Sequence, residues 1–245
     1  MDLGLTGKRA LVTGGARGIG ASISRTLAAE GADVFIAYQG SPAGPALAEE
    51  IGATAVAFDV SDHDSTVAAL KHLGPFHIVV NNAGVDDMAY FTDYTPDRWR
   101  PQIAVNLEGV FNITAATLPG MQEQRYGRIV NVSSEAGRLG SKRGSVYAAA
   151  KAGVIAFTKS IARENARFGI TANNLLPGPI ETPMLEANRQ GPRGEEVVAA
   201  MAAATLLNRI GKPEEVADMV AFLASDRAAY VTGETIGVSG GMGLG

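Results

Sequence analysis

Short apolar or β-branched runs alternate along the chain with longer segments of helical periodicity. "RALVTG" (9–14) predicts a strand, and "IGASISRTLAAEG" (19–31) a helix closed by Gly31. "ADVFIAY" (32–38) and "ATAVAFDV" (53–60) predict the second and third strands, with a helix in "AGPALAEEIG" between them. "SDHDSTVAALKHLG" (61–74) has a Ser/Asp cap and a terminal glycine, as a helix requires. "HIVVNNAG" (77–84), "GRIVNVSS" (127–134) and "ITANNLLPG" (170–178) predict the next three strands. A long helix is expected over 96–118, and another over "VYAAAKAGVIAFTKSIARENARFG". Residues 182–212 look irregular with helical pieces, "PEEVADMVAFLAS" (213–225) is helical, and "ETIGVSGG" (234–241) is a last short strand.

Strands that alternate with helices imply right-handed βαβ crossovers and a parallel sheet covered on both faces. The strands read as continuous apolar runs, as burial on two sides demands. The expected fold is α/β, a single Rossmann-like three-layer domain over residues 1–245.

Composition narrows the function more than the fold. The 245 residues are 46% hydrophobic and 19% charged, with 30 glycines and a net charge of −4. That balance does not suit nucleic acid, which would call for a basic patch. With no cysteine, thiol nucleophiles, disulfides and cysteine metal sites are absent, which is compatible with a reducing cytosol. The start lacks a secretory pattern. The longest apolar candidate, "VVAAMAAATLL" (197–207), falls short of the ~18 residues of a membrane span and reads as a buried or lid helix. His63, His72 and His77 are dispersed, so no catalytic metal is expected.

"TGGARGIG" (13–20) lies between the first strand and the first helix. Glycines there permit a tight turn and let N–H groups approach a pyrophosphate at the helix N-terminus. An ordinary glycine-rich turn is the competing reading, but the strand–turn–helix context favours a nucleotide. The contacts expected from this stretch are Gly14, Arg17, Gly18, Ile19 and Gly20. The second strand ends "AYQGS", with no acid to accept the 2′-hydroxyl of NAD. Arg17 and Ser41 could serve a 2′-phosphate, and Gln39 could bond a ribose. NADP(H) is therefore favoured over NAD(H). Asp59 and Val60 end the third strand, Asp59 better placed for the adenine edge than the ribose, with a strand-end cap as its other reading.

Tyr147 and Lys151 stand four apart in "YAAAK", neighbours on one helix face roughly 6 Å apart. A nearby ammonium stabilises a phenolate, and a drop of ~3 units in the tyrosine pKa would represent about 4 kcal/mol. Such a tyrosine could serve a carbonyl–alcohol couple as acid and base. Ser134, at the end of a strand, could hydrogen-bond a substrate oxygen. Asn106 is a polar residue in an apolar face, either a satisfied buried amide or part of a catalytic network.

"TGGARGIG", "NNAG", Asn106, Ser134 and "YAAAK", followed by "NLLPGPIETPM", occur in order over essentially the whole chain. This resembles the short-chain dehydrogenase/reductase family. The resemblance implies a seven-stranded sheet, with Tyr147 as general acid/base and Ser134 polarising the substrate oxygen. Lys151 would lower the tyrosine pKa and hold the nicotinamide ribose, and Asn106 would hold a water in a proton relay. Asn82, Ala83 and Gly84 would line the adenosine side, and Pro177, Gly178, Ile180 and Thr182 the nicotinamide end. A cytoplasmic homotetramer built on helices 96–118 and 145–169 and the last strand is also implied.

Residues 183–212 would form a lid over the substrate, with Gly191, Pro192 and Gly194 as its turn. Asp86, Asp87, Glu135 and Met184 are expected in the pocket, and Glu135 there would disfavour an anionic headgroup. Arg138, Lys142 and Arg143 precede the tyrosine helix, as a solvated loop or as a contact to the phosphate of a CoA or carrier-protein thioester. The chain is similar to 3-oxoacyl-carrier-protein reductases, although Phe168 replaces that group's second basic docking residue, with Arg167 adjacent. It is also similar to 2-hydroxycyclohexanecarboxyl-CoA dehydrogenases, whose acid after the second strand is missing. Hydride transfer between a nicotinamide and a ketone or secondary alcohol is the leading reading. The alternative is a non-catalytic regulatory protein that binds nucleotide on the same fold.

Overall fold

The apolar runs line up as seven parallel strands in a computed structural model that describes residues 2–191 and 193–244. Pro192, expected in the lid turn, lies outside the described residues. The strands are β1 (Arg9–Thr13), β2 (Asp33–Tyr38), β3 (Thr54–Ala57), β4 (Ile78–Asn81), β5 (Gly127–Val132), β6 (Ile170–Pro177) and β7 (Thr235–Val238). Their spatial order is β3-β2-β1-β4-β5-β6-β7. The chain leaves β1 in one direction for β2 and in the other for β4, which opens a crevice beyond the carboxyl ends of the strands.

Alternation within each strand feeds two cores. Ala10 and Val12 pack with Ile23 and Leu27 of α1 (Gly18–Ala29) and with Val216 and Val220 of α10 (Pro213–Ala224). Leu11 points the other way, into a core with Phe76, Ile113 and Met121 of the α5 side and Ile161 of α7. Here α5 is Gly109–Gln124 and α7 is Ser145–Asn165. Each fully buried Leu, Ile or Phe contributes roughly 1.5–3 kcal/mol, so these two layers dominate stability.

Several elements differ from the sequence pattern. The helix expected over 96–118 is α4 (Pro96–Ile103), a π-helical turn (Ala104–Glu108) and α5 in one continuous run. The helix expected over 61–74 is shorter, α3 (His63–Leu70), started by Asp62 accepting from the Ser65 N–H at 3.0 Å. A short α6 (Glu135–Leu139) was not anticipated; Ser134 caps it by accepting from the Ala136 N–H at 3.1 Å. The lid region forms α8 (Pro183–Arg189) and α9 (Gly194–Ala203). Leu206 and Leu207, expected at the end of a buried or lid helix, lie beyond α9 and are 71% and 62% exposed. A bridge between Ile180 and Gly211 clamps the two ends of this region. No helix is long and apolar enough to cross a membrane among the described residues.

Candidate active site

The site is assembled at the strand ends on the crevice side. In the glycine turn, Gly14 has φ +59°, and a Cβ there would come within 2.9 Å of Ala83 Cα. A Cβ on Gly20 would meet the Gly14 carbonyl oxygen at 2.1 Å, so neither position tolerates a side chain. Asn82 braces the turn by donating to the Thr13 and Gly14 carbonyls at 3.0 and 3.2 Å. The Asn82 and Ala83 N–H groups both donate to the Thr13 hydroxyl at 3.0 Å. Helix α1 begins at Gly18 with no side-chain cap and no acid in its first turn, and Ile19 lies in that turn. Its first N–H groups are left for an anion, and Arg17 is exposed beside them. This turn fits the pyrophosphate of a dinucleotide.

At the end of β2, Gln39 donates to an Asp59 carboxylate oxygen at 2.8 Å. The other Asp59 oxygen accepts from the Ser61 N–H and hydroxyl at 2.9 and 2.7 Å. Ser41 accepts from the Ala43 N–H at 3.3 Å, at the start of α2 (Ala43–Ile51). Val60 packs on α5, where a Cβ on Gly109 would meet it at 3.0 Å. At the far end, Gly178 pairs with Val238 at 3.1 Å, and a Cβ on it would strike Ser239. Ile180 is buried. Thr182 accepts from the Leu185 N–H at 3.2 Å to start α8, across the crevice from Gly18.

Tyr147 and Lys151 do share one face of α7, the ammonium 5.6 Å from the centre of the phenol ring. The lysine is buried and donates to the Val132 carbonyl at 2.9 Å. Ser133, the next residue but one before α6, donates its hydroxyl to the Lys151 carbonyl at 2.8 Å and ties β5 to the tyrosine helix. Burial lowers the Lys151 pKa to about 8. The tyrosine departs from expectation, because its pKa is raised to about 12. Burial is the main cause, and the Asp86 charge adds to it. The hydrogen-bonding reach of Ser134 opposes both. In the protein alone the tyrosine is therefore a neutral phenol at physiological pH, poised to give a proton rather than take one.

Asn106 lies in the π-helical turn and is fully buried. Its amide donates to the Val85 and Gln102 carbonyls at 2.7 and 2.9 Å and accepts from the Val85 N–H at 3.2 Å. Gly84 sits against it: a Cβ there would be 2.9 Å from the Asn106 oxygen and 3.5 Å from Lys151 Nζ. Asn106, Gly84 and Lys151 thus meet at one point.

The expected pocket residues separate. Met184 is 43% exposed on α8. Glu135 does not offer its charge to the crevice: it is 2% exposed and paired with Arg138 at 2.7 Å, facing Gly237 and Gly243. The start of α6 turns its side chain there, so an anionic headgroup is not disfavoured by Glu135. Arg138 is accordingly engaged, and Arg143 lies over the Tyr90 ring. Asp87 is held by Arg98 in a two-pronged ion pair at 2.6 and 2.8 Å.

A buried amide network beneath the site escaped the sequence pattern. Asn81 donates to Asn131 at 2.8 Å, and Asn131 donates to the Thr158 hydroxyl at 2.7 Å. Asn174 Oδ1 lies 2.8 Å from the same hydroxyl. The network joins β4, β5, β6 and α7, so the strand ends are not purely apolar. Asparagines within apolar strands were the available signal.

Residues 14–243 match a family model described as enoyl-(acyl carrier protein) reductase. The chain is 42% identical to acetoacetyl-CoA reductase of Shinella zoogloeoides, over 95% of this chain and 97% of that protein. It is also 42% identical to 3-oxoacyl-[acyl-carrier-protein] reductase of Vibrio harveyi, over 98% and 99%. A solved short chain dehydrogenase/reductase family protein matches with TM-score 0.90 and 36% identity over the whole of both chains. The crystal structure of gox2181 matches with TM-score 0.94 and 33% identity over 98% and 97%.

Proposed function

The chain belongs to the short-chain dehydrogenase/reductase family and is an oxidoreductase, and we propose that it reduces the ketone of a 3-oxoacyl thioester to a secondary alcohol with NADPH. The observation that carries this reading is the buried Tyr147, a neutral phenol beside Ser134 on the helix that also bears Lys151. Reduction of a carbonyl needs an acid at its oxygen, and a neutral phenol is that acid.

A nicotinamide dinucleotide bound in the crevice supplies the hydride. Ser134 donates a hydrogen bond to the substrate carbonyl and polarises it. Tyr147 delivers its hydroxyl proton to the same oxygen as the carbon becomes tetrahedral. Lys151, with its pKa near 8, then holds a proton that can restore the phenol. Asn106 fixes the 84–85 backbone next to Lys151 and, through it, the floor of the site. Gly14, Arg17, Gly18, Ile19, Gly20, Gln39, Ser41, Asp59, Val60, Asn82, Ala83 and Gly84 hold the adenosine diphosphate half. Pro177, Gly178, Ile180 and Thr182 hold the nicotinamide half, and residues 183–212 close over the substrate.

NADPH is preferred because Arg17 stands exposed at the pyrophosphate turn and β2 ends without an acid. Gln39 is tied to Asp59, so its amide is not free to replace that acid. The thioester is carried on CoA or a carrier protein, reading drawn from the names of the two relatives. Arg125 donates to the Arg167 carbonyl at 3.0 Å, which sets two exposed cations together for a phosphate. The working form is a cytoplasmic homotetramer, with the Phe111–Phe157 pair of α5 and α7, ring centres 4.6 Å apart, in one subunit contact.

The test is an assay of acetoacetyl-CoA with NADPH, following loss of the reduced nicotinamide and formation of the 3-hydroxy thioester. Turnover is expected. Cofactor binding without reduction of this or any simple ketone would contradict the reading and favour the regulatory alternative.

A further inference from the structure

The loop after β4 is held on nearly every side. Val85 is gripped by Asn106 through both backbone groups. The Asp87 N–H donates to Gln102 at 3.3 Å, and the Tyr94 hydroxyl donates to the Asp87 carbonyl. Arg98 takes the Asp87 carboxylate, and the Ala89 N–H donates to the Arg143 carbonyl at 2.8 Å.

Asp86 sits inside this brace. Its Oδ1 is closed off and has no hydrogen-bond partner. Burial raises its pKa, and the Asp87 charge adds to that. Asp86 in turn raises the Tyr147 pKa, which puts its charge within electrostatic reach of the phenol. A buried carboxylate oxygen without a donor is costly and needs a reason. The nearby donors are committed elsewhere: Arg98 to Asp87, and the Asn106 amide to Val85 and Gln102. The missing donor must come from outside the chain.

We propose that Asp86 is a substrate-binding residue that accepts a hydrogen bond from a hydroxyl on the carbon next to the reacting ketone. The preferred substrate is then a hydroxylated ketone, whether or not the rest of it is a thioester. This rests on the ketone-reductase reading and narrows its substrate. A substrate with an alkyl group at that position leaves the carboxylate oxygen unpaired in the closed complex, and a site built for a hydroxyl rejects such an analogue strongly. A carboxylate at that position would be repelled.

The test compares 1-hydroxy-2-butanone with 3-pentanone, its methyl counterpart, using NADPH. The ratio of their kcat/KM values is measured for the parent enzyme, Asp86→Leu and Asp86→Asn. Taking the ratio within each protein and then between proteins removes the intrinsic difference in ketone reactivity. The ratio should fall about tenfold or more in Asp86→Leu. It should fall less in Asp86→Asn, which keeps an acceptor oxygen without the charge. If the leucine variant does not fold, a reduced ratio in the asparagine variant supports the assignment and an unchanged one overturns it. Equal ratios in all three proteins overturn it too, while reduction of acetoacetyl-CoA would leave the ketone-reductase reading standing. An enzyme that reduces neither ketone nor acetoacetyl-CoA overturns both.

Discussion

Asn106 holds Val85 by both of its backbone groups, giving a hydrogen bond of 2.7 Å to the carbonyl and accepting one of 3.2 Å from the N–H. The asparagine sits where the helix opens into a π turn, and its amide also returns to the Gln102 carbonyl at 2.9 Å. The side chain therefore stitches a helix to the strand-end loop that carries Gly84 and Asp86. Asn106→Leu would leave three backbone groups without partners. Unpaired buried groups cost about 1–3 kcal/mol each, so a loss of several kcal/mol is expected, read as a lower urea midpoint. Asn106→Asp should retain the acceptor and lose the two donated bonds, with an intermediate midpoint. A leucine variant as stable as the parent would remove this bracing role.

Lys151 should weaken the fold at neutral pH. Its pKa falls from 10.5 to about 8 on burial, so the unfolded chain binds the proton more tightly than the folded one. That difference amounts to about 3 kcal/mol when the group is charged. It disappears as pH rises from 8 through 10.5, where stability therefore increases. Lys151→Met removes the penalty and loses the bond to Val132, worth about 1 kcal/mol. The variant should be inactive yet melt higher than the parent at pH 7, with the gap narrowing towards pH 10. A gap that widens with pH would contradict the assignment of a charged, buried lysine.

Arg17 should discriminate between the two nicotinamide cofactors. A charge-assisted bond from its guanidinium to a 2′-phosphate is worth about 1.5–3 kcal/mol. Arg17→Ala is expected to weaken NADPH binding by about ten- to a hundredfold and to leave NADH binding within about twofold. Fluorescence titration against the single tryptophan, Trp99, reads both. Equal losses for the two cofactors would place Arg17 at the pyrophosphate instead.

What could be read from sequence was local. The glycine turn, the Tyr147–Lys151 spacing and the order of strands and helices depend on residues near one another in the chain, where periodicity and turn chemistry act. The Asn81–Asn131–Thr158–Asn174 network was hidden, because its members meet only when β4, β5, β6 and α7 are assembled. The Gln39–Asp59 pair spans 20 residues and was missed for the same reason. Glu135 was misplaced because the unanticipated α6 turns its carboxylate towards Arg138 and the C-terminal residues. For Tyr147 the location followed from the helix, but the direction of its pKa did not. Spacing shows that a lysine is near; only the packed structure shows that burial outweighs it and that Lys151 gives its proton to Val132.

The most direct measurement of the central claim is Tyr147→Phe assayed with acetoacetyl-CoA and NADPH, alongside a titration of the variant with NADPH. The substitution removes one hydroxyl and keeps the ring that packs near Lys151. If the phenol is the acid, turnover falls about a hundredfold to ten-thousandfold while the NADPH dissociation constant stays within a few-fold of the parent. Turnover within about tenfold of the parent, with binding intact, would contradict the account and return the role of proton donor to another group.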